Sequence, residues 1–302
     1  MNAPSPELRR VFPFSDLPII TFTDPPLLSY FTHGVTLAYR TFGNGPSPVL
    51  ALHGFGRTGA DFEVLAPALG KYHTIHAFDL HFHGMSPGYP ERAEVPFTPH
   101  ELAVFFAAFL DHIGSEKASL LGYSLGGRIA MSLLETMPER IEQVFLAAPD
   151  GLKPRPWYRG LAATSFGRWA YRRFVEHPHK VHALMDLLGS IGLLRPKMLR
   201  FLRGQTDSQA KRILLRDVWL SYRLIEPDLE RVAQAAQGHT IPIHLFFGEM
   251  DTVIKPVLGE DLRRHAPEEV SITLLPFGHV LLTPELGRAM LRTLPNGAVE
   301  TV

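Results

Sequence analysis

The stretch that most restricts how this chain can fold is Gly122–Gly127, which reads GYSLGG and joins an apolar run to a helical pattern. The preceding residues, ASLL, are typical of a buried strand, and the following residues, RIAMSLLE, place apolar side chains at helical spacing. A sharp turn between a strand and a helix strains the backbone of its central residue and leaves no room for large neighbours. The glycines therefore predict such a turn, with the hydroxyl of Ser124 projecting from it.

Strand and helix patterns alternate from Val35 to about Pro149. Short apolar runs such as PVLALHG, HTIHAFDL and QVFLAAPD are separated by helical segments such as TPHELAVFFAAFLDHIG. One of these helices should begin at Thr98, because Glu101 follows it at the spacing of a capping box. This alternation predicts an α/β fold, in which a mostly parallel sheet is flanked by helices on both faces.

The alternation stops in residues 151–238, where prolines separate helical patterns and no strand pattern is convincing. Strand patterns resume in IPIHLFFGEMD and VSITLLPFG, and a last helical pattern follows them. We therefore expect an α/β core formed by residues 1–150 and 239–302, with residues 151–238 inserted as an all-helical segment. The first part of the core, residues 1–34, is expected to be an extension with antiparallel edge strands.

Composition favours a water-soluble protein. The chain has 302 residues, of which 45% are hydrophobic and 20% charged, and this length suits one large domain or a domain with an insertion. The longest apolar run, Leu102–Leu110, is far shorter than the ~20 residues that span a bilayer. The first residues lack the apolar segment of a signal peptide, so a cytoplasmic protein without a transmembrane segment is expected. The absence of cysteine excludes disulfides and thiolate metal sites.

Charge is unevenly distributed, although the formal net charge is zero. Residues 151–238 contain 16 Lys and Arg against 7 Asp and Glu, whereas the remainder contains 14 against 23. A solvated helical face is the ordinary interpretation of such a basic segment, while contact with an anionic substrate or peripheral contact with a membrane surface stays open. Nucleic-acid binding is disfavoured, because the basic residues are diffuse, no recognised module is present and the pI is about 7.3.

Ser124 has three interpretations: a serine in an ordinary turn, part of a phosphate-binding loop, or a nucleophile. The phosphate-binding interpretation fails, because neither G-x-x-x-x-G-K-[ST] nor G-x-G-x-x-G occurs at this junction. The pattern G-x-S-x-G between a strand and a helix favours the nucleophile, since the helix also directs backbone N–H groups toward the hydroxyl.

A serine nucleophile needs a base, and a neutral imidazole suits that task near pH 7. His279 follows the last strand pattern, so it should lie at the same sheet edge as Ser124. Asp251 follows the penultimate strand pattern and would orient the imidazole, which gives the order Ser, Asp, His along the chain. Asp150, which follows the strand before that, is a competing acid.

Acyl transfer also requires donors for the oxyanion of the tetrahedral intermediate. We expect one from the backbone N–H of Leu125, directly after the serine. The second is expected from the N–H of Phe55, in the loop that follows PVLALHG. His53 at the start of that loop is expected to brace it rather than to transfer protons.

The densest group of histidines is His73, His76, His81 and His83, with Asp79 among them. Spaced imidazoles and a carboxylate are typical metal ligands. The segment crosses a strand and its loop, however, so that alternate residues face opposite sides of the sheet. Metal binding is therefore disfavoured, and we expect no metal and no cofactor.

Five motifs taken together resemble the α/β-hydrolase superfamily, in the branch with a helical cap inserted after the sixth core strand. They are LHGFG, FDLHFHGMS, GYSLGG, GEMDTVIKP and FGHVLL, and they occur in this order between Leu52 and Leu282. The resemblance implies the α/β-hydrolase fold and a serine hydrolase that cleaves small carboxylic esters through an acyl-enzyme intermediate. It does not extend into the cap, and no oligomeric state is predicted.

Two other functions fit the same motifs. A carbon–carbon bond hydrolase of this fold also uses Ser, Asp and His, and a non-catalytic ligand-binding protein could be built on the same scaffold. Serine at position 124 disfavours dehalogenases and epoxide hydrolases, which resemble this fold but have an aspartate there.

The cap is rich in large apolar residues, which suggests that the substrate has a hydrophobic acyl or alcohol part. These residues are Trp157, Phe166, Trp169, Leu187, Leu188, Leu193, Leu194, Phe201 and Trp219. The aromatic and basic piece from Trp157 to Phe174 is expected to pack its aromatic face on the core, with contact to lipid as the alternative.

Overall fold

The structure is a computed structural model of the whole chain. The residues it describes are 26–153, 164–193, 199–200, 203–204 and 206–294. Part of the expected N-terminal extension and of the expected cap lie outside these ranges. Three of the apolar cap residues named above also lie outside the described ranges: Trp157, Leu194 and Phe201.

The described residues form one eight-stranded sheet with the strand order β1-β2-β4-β3-β5-β6-β7-β8. The strands are β1 Leu28–Thr32, β2 Val35–Phe42, β3 Ser47–Leu52, β4 His73–Phe78, β5 Ala118–Tyr123, β6 Ile141–Ala147, β7 Ile243–Gly248 and β8 Val270–Leu275. Strand β2 is antiparallel to β1 and to β4, and all other neighbours are parallel. The central strand β5 is buried over its whole length, as expected where helices cover both faces. The predicted α/β fold is confirmed.

Helices flank this sheet and also fill much of the connection between β6 and β7. They are α1 Ala66–Leu69, α2 Pro99–His112, α3 Leu125–Thr136, α4 Ser165–Glu176, α5 Pro178–Ser190, α6 Gln209–Ser221, α7 Leu229–His239, α8 Gly259–His265 and α9 Pro284–Leu291. Helix α2 begins with the capping box predicted from Thr98 and Glu101. None of the helices in the described ranges has the length and apolar composition needed to cross a membrane.

The helices that cover the sheet form two groups, and the helices within each group contact one another. Helix α1 packs against α9, whereas α2, α3, α7 and α8 contact one another in that order. Helix α7 lies at the end of the segment expected to be an insertion, yet it packs on α3 and α8. The last helix before β7 therefore belongs to the layer that covers the sheet.

Helices α4, α5 and α6 form a further group, in which α4 contacts both α5 and α6. The expectation that α4 packs its aromatic residues on the core is wrong for two of them. Phe166 and Trp169 stack on each other and are 73% and 56% exposed. The helix instead buries Val175 and packs Tyr171 against Leu220, on a different side of its surface.

The carboxyl end of α6 is anchored to the segment that precedes α2. The amide of Phe97 donates to the carbonyl of Ser221 at 2.8 Å. Arg223 donates to the carbonyl oxygens of Ala93 and Glu94, both at 2.7 Å. These bonds fix where α6 lies above the sheet.

The turn between β5 and α3 makes the closest backbone contact with the sheet. A Cβ atom added at Gly126 would lie 1.8 Å from the carbonyl oxygen of Leu52. One added at Gly122 would lie 2.6 Å from the carbonyl oxygen of Gly126. Backbone atoms cannot retreat as flexible side chains do, so only glycine fits at these positions.

Gly126→Ala is expected to lower the free energy of unfolding by about 3 kcal/mol or more, because the added methyl group overlaps the backbone of β3. Gly238→Ala is the matched control: it also replaces a helical glycine, but no atom lies within 4 Å of the added Cβ. The control should be neutral or stabilising by up to about 1 kcal/mol. Urea unfolding of both variants measures the difference, and equal stabilities would contradict the packing argument.

His76 gives the fold a dependence on pH. Its imidazole is buried beside the rings of Tyr39 and Phe109, with centroids 6.1 and 5.3 Å away. Burial lowers the pKa of His76 from 6.5 to about 4. The unfolded chain therefore takes up this proton at a higher pH than the folded protein, so stability is lost as the pH falls from 6.5 toward 4.

The substitution His76→Leu should remove this loss of stability at low pH. The stability of the variant relative to the parent protein should rise by about 3 kcal/mol between pH 7.5 and pH 4. Urea unfolding across this pH range measures the difference between the two proteins. A difference that does not vary with pH would contradict the prediction.

Candidate active site

Ser124 occupies the turn between β5 and α3 in a strained conformation. Its φ of 51° and ψ of −111° are unusual for a residue with a side chain. Three backbone hydrogen bonds hold it: its amide donates to Ala147 O at 3.0 Å, and its carbonyl accepts from Gly127 N at 2.9 Å and Asp150 N at 2.8 Å. The strain is thus supported by neighbouring strands and loops, and it projects the hydroxyl from the turn.

The structure brings Ser124 together with the predicted His279 and Asp251. His279 Nε2 lies 3.2 Å from Ser124 Oγ, and His279 Nδ1 lies 2.8 Å from Asp251 Oδ2. The carboxylate side chain is fully buried, whereas the imidazole is 25% exposed. A continuous chain of hydrogen bonds therefore runs from a buried acid to a partly accessible serine hydroxyl.

Backbone contacts join the loops that carry the acid and the histidine. Glu249 N donates to Leu275 O at 2.9 Å, and Met250 N donates to Phe277 O at 3.0 Å. Gly248, at the end of β7, allows this approach, because an added Cβ would lie 2.2 Å from the carbonyl oxygen of Gly278. The distance between Asp251 and His279 is thus set by the backbone.

The environment of Asp251 favours its charged form. Burial raises the pKa of this carboxyl, but the hydrogen bond from His279 and those from the amides of Ile254 and Val253 outweigh burial, so the pKa lies below its usual value. The two amides donate to Asp251 Oδ1 at 3.0 and 2.7 Å. An ionised Asp251 can accept from Nδ1–H of His279, which leaves Nε2 as the acceptor that faces Ser124.

The side chain of Asp150, the competing acid, has a different partner. Its carboxylate pairs with the guanidinium of Arg128 at 2.8 Å, and both side chains are buried. Arg128 follows Ser124 by one turn of α3. The sequence gives no sign of this pairing, because the two residues lie on different elements and meet only when the sheet assembles.

Phe55 lies in a turn that approaches the serine. Arg57 N donates to Gly54 O at 3.2 Å, and Gly56 has a φ of +71°, as at the third position of a type II turn. A Cβ added at Gly54 would lie 3.2 Å from Cβ of Ser124.

The two expected oxyanion donors are the amides of Phe55 and Leu125. Leu125 is the first residue of α3, so its amide has no partner within the helix. Neither amide donates to another backbone group within the described ranges.

Three contacts of the site were missed by sequence reasoning. The hydroxyl of Tyr123 donates to the carbonyl oxygen of His279 at 3.0 Å, and burial raises the pKa of Tyr123 to about 12, so it stays a donor. Trp219 of α6 stacks on Phe55, with ring centroids 6.4 Å apart, and the guanidinium of Arg128 lies 5.3 Å from its centroid. Tyr123 stands within the serine motif, and Trp219 is one of the apolar cap residues named above, but no pattern in the sequence predicts that it contacts Phe55.

The four clustered histidines make separate contacts. His73 and His83 each bond a backbone group, His81 bonds the hydroxyl of Tyr222, and His76 packs among aromatic rings. Across the described ranges, no three His, Cys, Asp or Glu side chains are grouped so that they could hold a metal ion.

Comparisons with known proteins place the chain in a family. A sequence profile described as alpha/beta hydrolase fold matches residues 47–285. The uncharacterized hydrolase YugF of Bacillus subtilis is 25% identical over 264 residues, which are 86% of this chain and 93% of that protein. A pimeloyl-(acyl-carrier protein) methyl ester esterase of Aeromonas hydrophila is 37% identical over 114 residues, 38% of this chain and 42% of that protein.

The solved structures include a thermophilic esterase from Thermogutta terrifontis. It superposes with a TM-score of 0.62 at 20% identity and covers 88% of this chain and 97% of that one. This likeness concerns the fold alone. With the sequence profile spanning most of the chain, the protein belongs to the alpha/beta hydrolase fold family.

Proposed function

We propose that the protein is a serine hydrolase that cleaves small-molecule carboxylic esters through an acyl-enzyme intermediate. The observation that carries the proposal is the chain of hydrogen bonds from Asp251 through His279 to Ser124, on a strained turn that exposes the hydroxyl. A serine becomes a useful nucleophile when a base takes its proton, and these contacts supply the base and the group that orients it.

In the first half of the reaction, His279 Nε2 takes the proton of Ser124 Oγ while that oxygen attacks the ester carbonyl. The carbonyl electrons move onto its oxygen, which the amides of Phe55 and Leu125 receive. When the intermediate collapses, the bond to the alcohol oxygen breaks, and His279 returns the proton to the leaving alcohol. Ser124 is then acylated.

In the second half, a water molecule takes the place of the alcohol. His279 removes a proton from this water, which attacks the acyl carbon, and the bond to Ser124 Oγ breaks as the proton returns to that oxygen. Asp251 keeps Nε2 of His279 the proton acceptor in both halves and stabilises the imidazolium that forms.

The substrate class rests on two supports. Esterases are among the relatives, although the match to the esterase of Aeromonas hydrophila spans less than half of that protein. Phe55 and Trp219 place stacked aromatic rings beside the loop that approaches the serine, which suits a hydrophobic acyl or alcohol part. Phe166, Trp169, Leu187 and Leu193 are exposed. Contact of the basic cap with a membrane stays a prediction.

A fluorophosphonate probe should label the parent protein but not Ser124→Ala, because only an activated serine forms the phosphonyl adduct. Labelling is followed by mass spectrometry, and turnover is measured with p-nitrophenyl esters of increasing chain length. The parent protein should hydrolyse these esters, and Ser124→Ala should lose turnover by about 10⁵-fold or more.

The other outcomes distinguish the alternative functions. A parent protein that is not labelled would contradict the hydrolase mechanism and favour a binding protein. Labelling that survives Ser124→Ala would show that another serine reacts. Labelling without turnover of any ester would favour carbon–carbon bond cleavage over ester hydrolysis.

Asp251→Asn and Asp150→Asn should separate catalysis from stability. Asp251→Asn should lower kcat by about 10⁴-fold, because the amide no longer holds the productive tautomer of His279. Asp150→Asn should keep kcat per folded molecule but lower the free energy of unfolding by about 3 kcal/mol, because the buried charge of Arg128 loses its counter-ion. Ester turnover and urea unfolding are measured on both. Loss of turnover in Asp150→Asn alone would overturn the assignment of the acid.

A further inference from the structure

Two buried imidazoles tie the Phe55 turn to the loop that follows β4. His53, at the start of the turn, accepts a hydrogen bond at Nε2 from the amide of Leu80 at 2.9 Å. His83, in the loop after β4, accepts one at Nε2 from the amide of Gly56, also at 2.9 Å. Each loop thus supplies an imidazole that accepts from the other, and the two rings meet edge to face with centroids 4.9 Å apart.

The remaining nitrogens of both rings are also used. Nδ1 of His53 lies 2.7 Å from the carbonyl oxygen of Gly54, and Nδ1 of His83 lies 3.0 Å from that of His81. A carbonyl can only accept and an amide can only donate, so both imidazoles must be neutral with the proton on Nδ1. Burial lowers the pKa of His53 to about 3 and also lowers the pKa of His83.

The loop after β4 has hydrogen bonds of its own, so it can act as an anchor. Asp79, fully buried, accepts from the amide of Met85 at 2.9 Å and from that of Gly59 at 2.8 Å. Phe82, directly before His83, has a φ of 69°, a conformation that needs support from its surroundings. The bond from Met85 thus holds the loop within itself, and the bond from Gly59 ties it to the segment that follows the Phe55 turn.

We propose that His53 and His83 are positioning residues that hold the Phe55 amide where the oxyanion forms. The turn is fixed on both sides of Phe55, by His53 before it and by the Gly56 amide after it. An oxyanion donor acts only if it is directed correctly before the reaction begins, since reorientation during the step would forfeit the stabilisation. The inference rests on the proposed function, because an oxyanion forms beside the Phe55 amide only if Ser124 attacks a carbonyl group. The two histidines would act through the turn and not through contact with the substrate or the serine.

Two substitutions at His83 separate the two hydrogen bonds. The side chain of glutamine reaches the position of Nε2 and can accept from Gly56. That of asparagine is shorter and reaches only the position of Nδ1, so it can donate to His81 but leaves the Gly56 amide without its acceptor. His83→Gln should therefore restore what His83→Asn loses.

The experiment measures kcat and KM with p-nitrophenyl butyrate, and the inhibition constant of a trifluoromethyl ketone, which forms a tetrahedral oxyanion on the serine. For His83→Asn we expect kcat to fall about 10-fold to 100-fold and the inhibitor to bind more weakly by a similar factor, with little change in KM. His83→Gln should stay within about threefold of the parent protein. His76→Leu, which removes a buried histidine outside this loop, should leave all three values unchanged.

Several results would overturn the proposal. One is a folded His83→Asn that keeps the kcat and inhibitor affinity of the parent protein. Another is a loss of kcat that only follows a loss of folded protein, as measured by circular dichroism. If His83→Asn does not fold, long-range ¹H–¹⁵N NMR of the parent protein decides: protonation of both rings on Nδ1 supports the proposal, and protonation of either ring on Nε2 overturns it.

Failure of the proposed function is distinguishable from failure of this inference. If the fluorophosphonate probe does not label the parent protein, the serine mechanism is wrong and the inference falls with it. If the probe labels Ser124 in the parent protein while His83→Asn reacts equally fast, the mechanism stands and only the positioning role is wrong.

Discussion

The contact between the serine turn and strand β3 is the constraint on which the candidate site depends. Gly126 brings the backbone of α3 so close to the carbonyl of Leu52 that no side chain fits between them. The same approach places Ser124 beside Gly54, at the start of the Phe55 turn. Ser124 and the expected oxyanion donor are therefore neighbours because two backbones touch, before any side chain is considered.

The rest of the site follows the same rule of positioning by backbone. The loops after β7 and β8 are joined by main-chain hydrogen bonds, which set Asp251 against His279. Tyr123 then holds the carbonyl of His279 from the strand that carries the serine. The three side chains come within hydrogen-bond range because the parallel strands that precede them, β5, β7 and β8, end at one edge of the sheet.

The residues that sequence reasoning located share a local signature. Ser124 stands in a strand-to-helix motif, and Asp251 and His279 each stand just past a recognisable strand, so parallel topology alone predicts that they meet. The parallel sheet and the capping box at Thr98 were predictable for the same reason. In each case the information lies within about ten residues of the chain.

The features that sequence reasoning missed depend on contacts between distant segments. Asp150 looked like a candidate acid because it also follows a strand, and only the assembled fold shows that Arg128 neutralises it. The exposure of Phe166 and Trp169 could not be predicted for the same reason, because it depends on how α4 packs against another helix. Helical periodicity separates the faces of α4, but it does not say which face meets α6.

Trp219 shows how the helices above the sheet become part of the site. Its indole contacts both Phe55 and Arg128, while the end of α6 is held by hydrogen bonds to the segment before α2. A shift of α6 would therefore disturb the packing of the Phe55 turn and of the buried ion pair together. His53 and His83 bind the backbone of that turn to the loop after β4, and His81 of the same loop contacts Tyr222 at the end of α6. The Phe55 turn is consequently held by hydrogen bonds to the loop after β4 and by an aromatic contact with Trp219 of α6, so a change in the position of α6 reaches the turn through both.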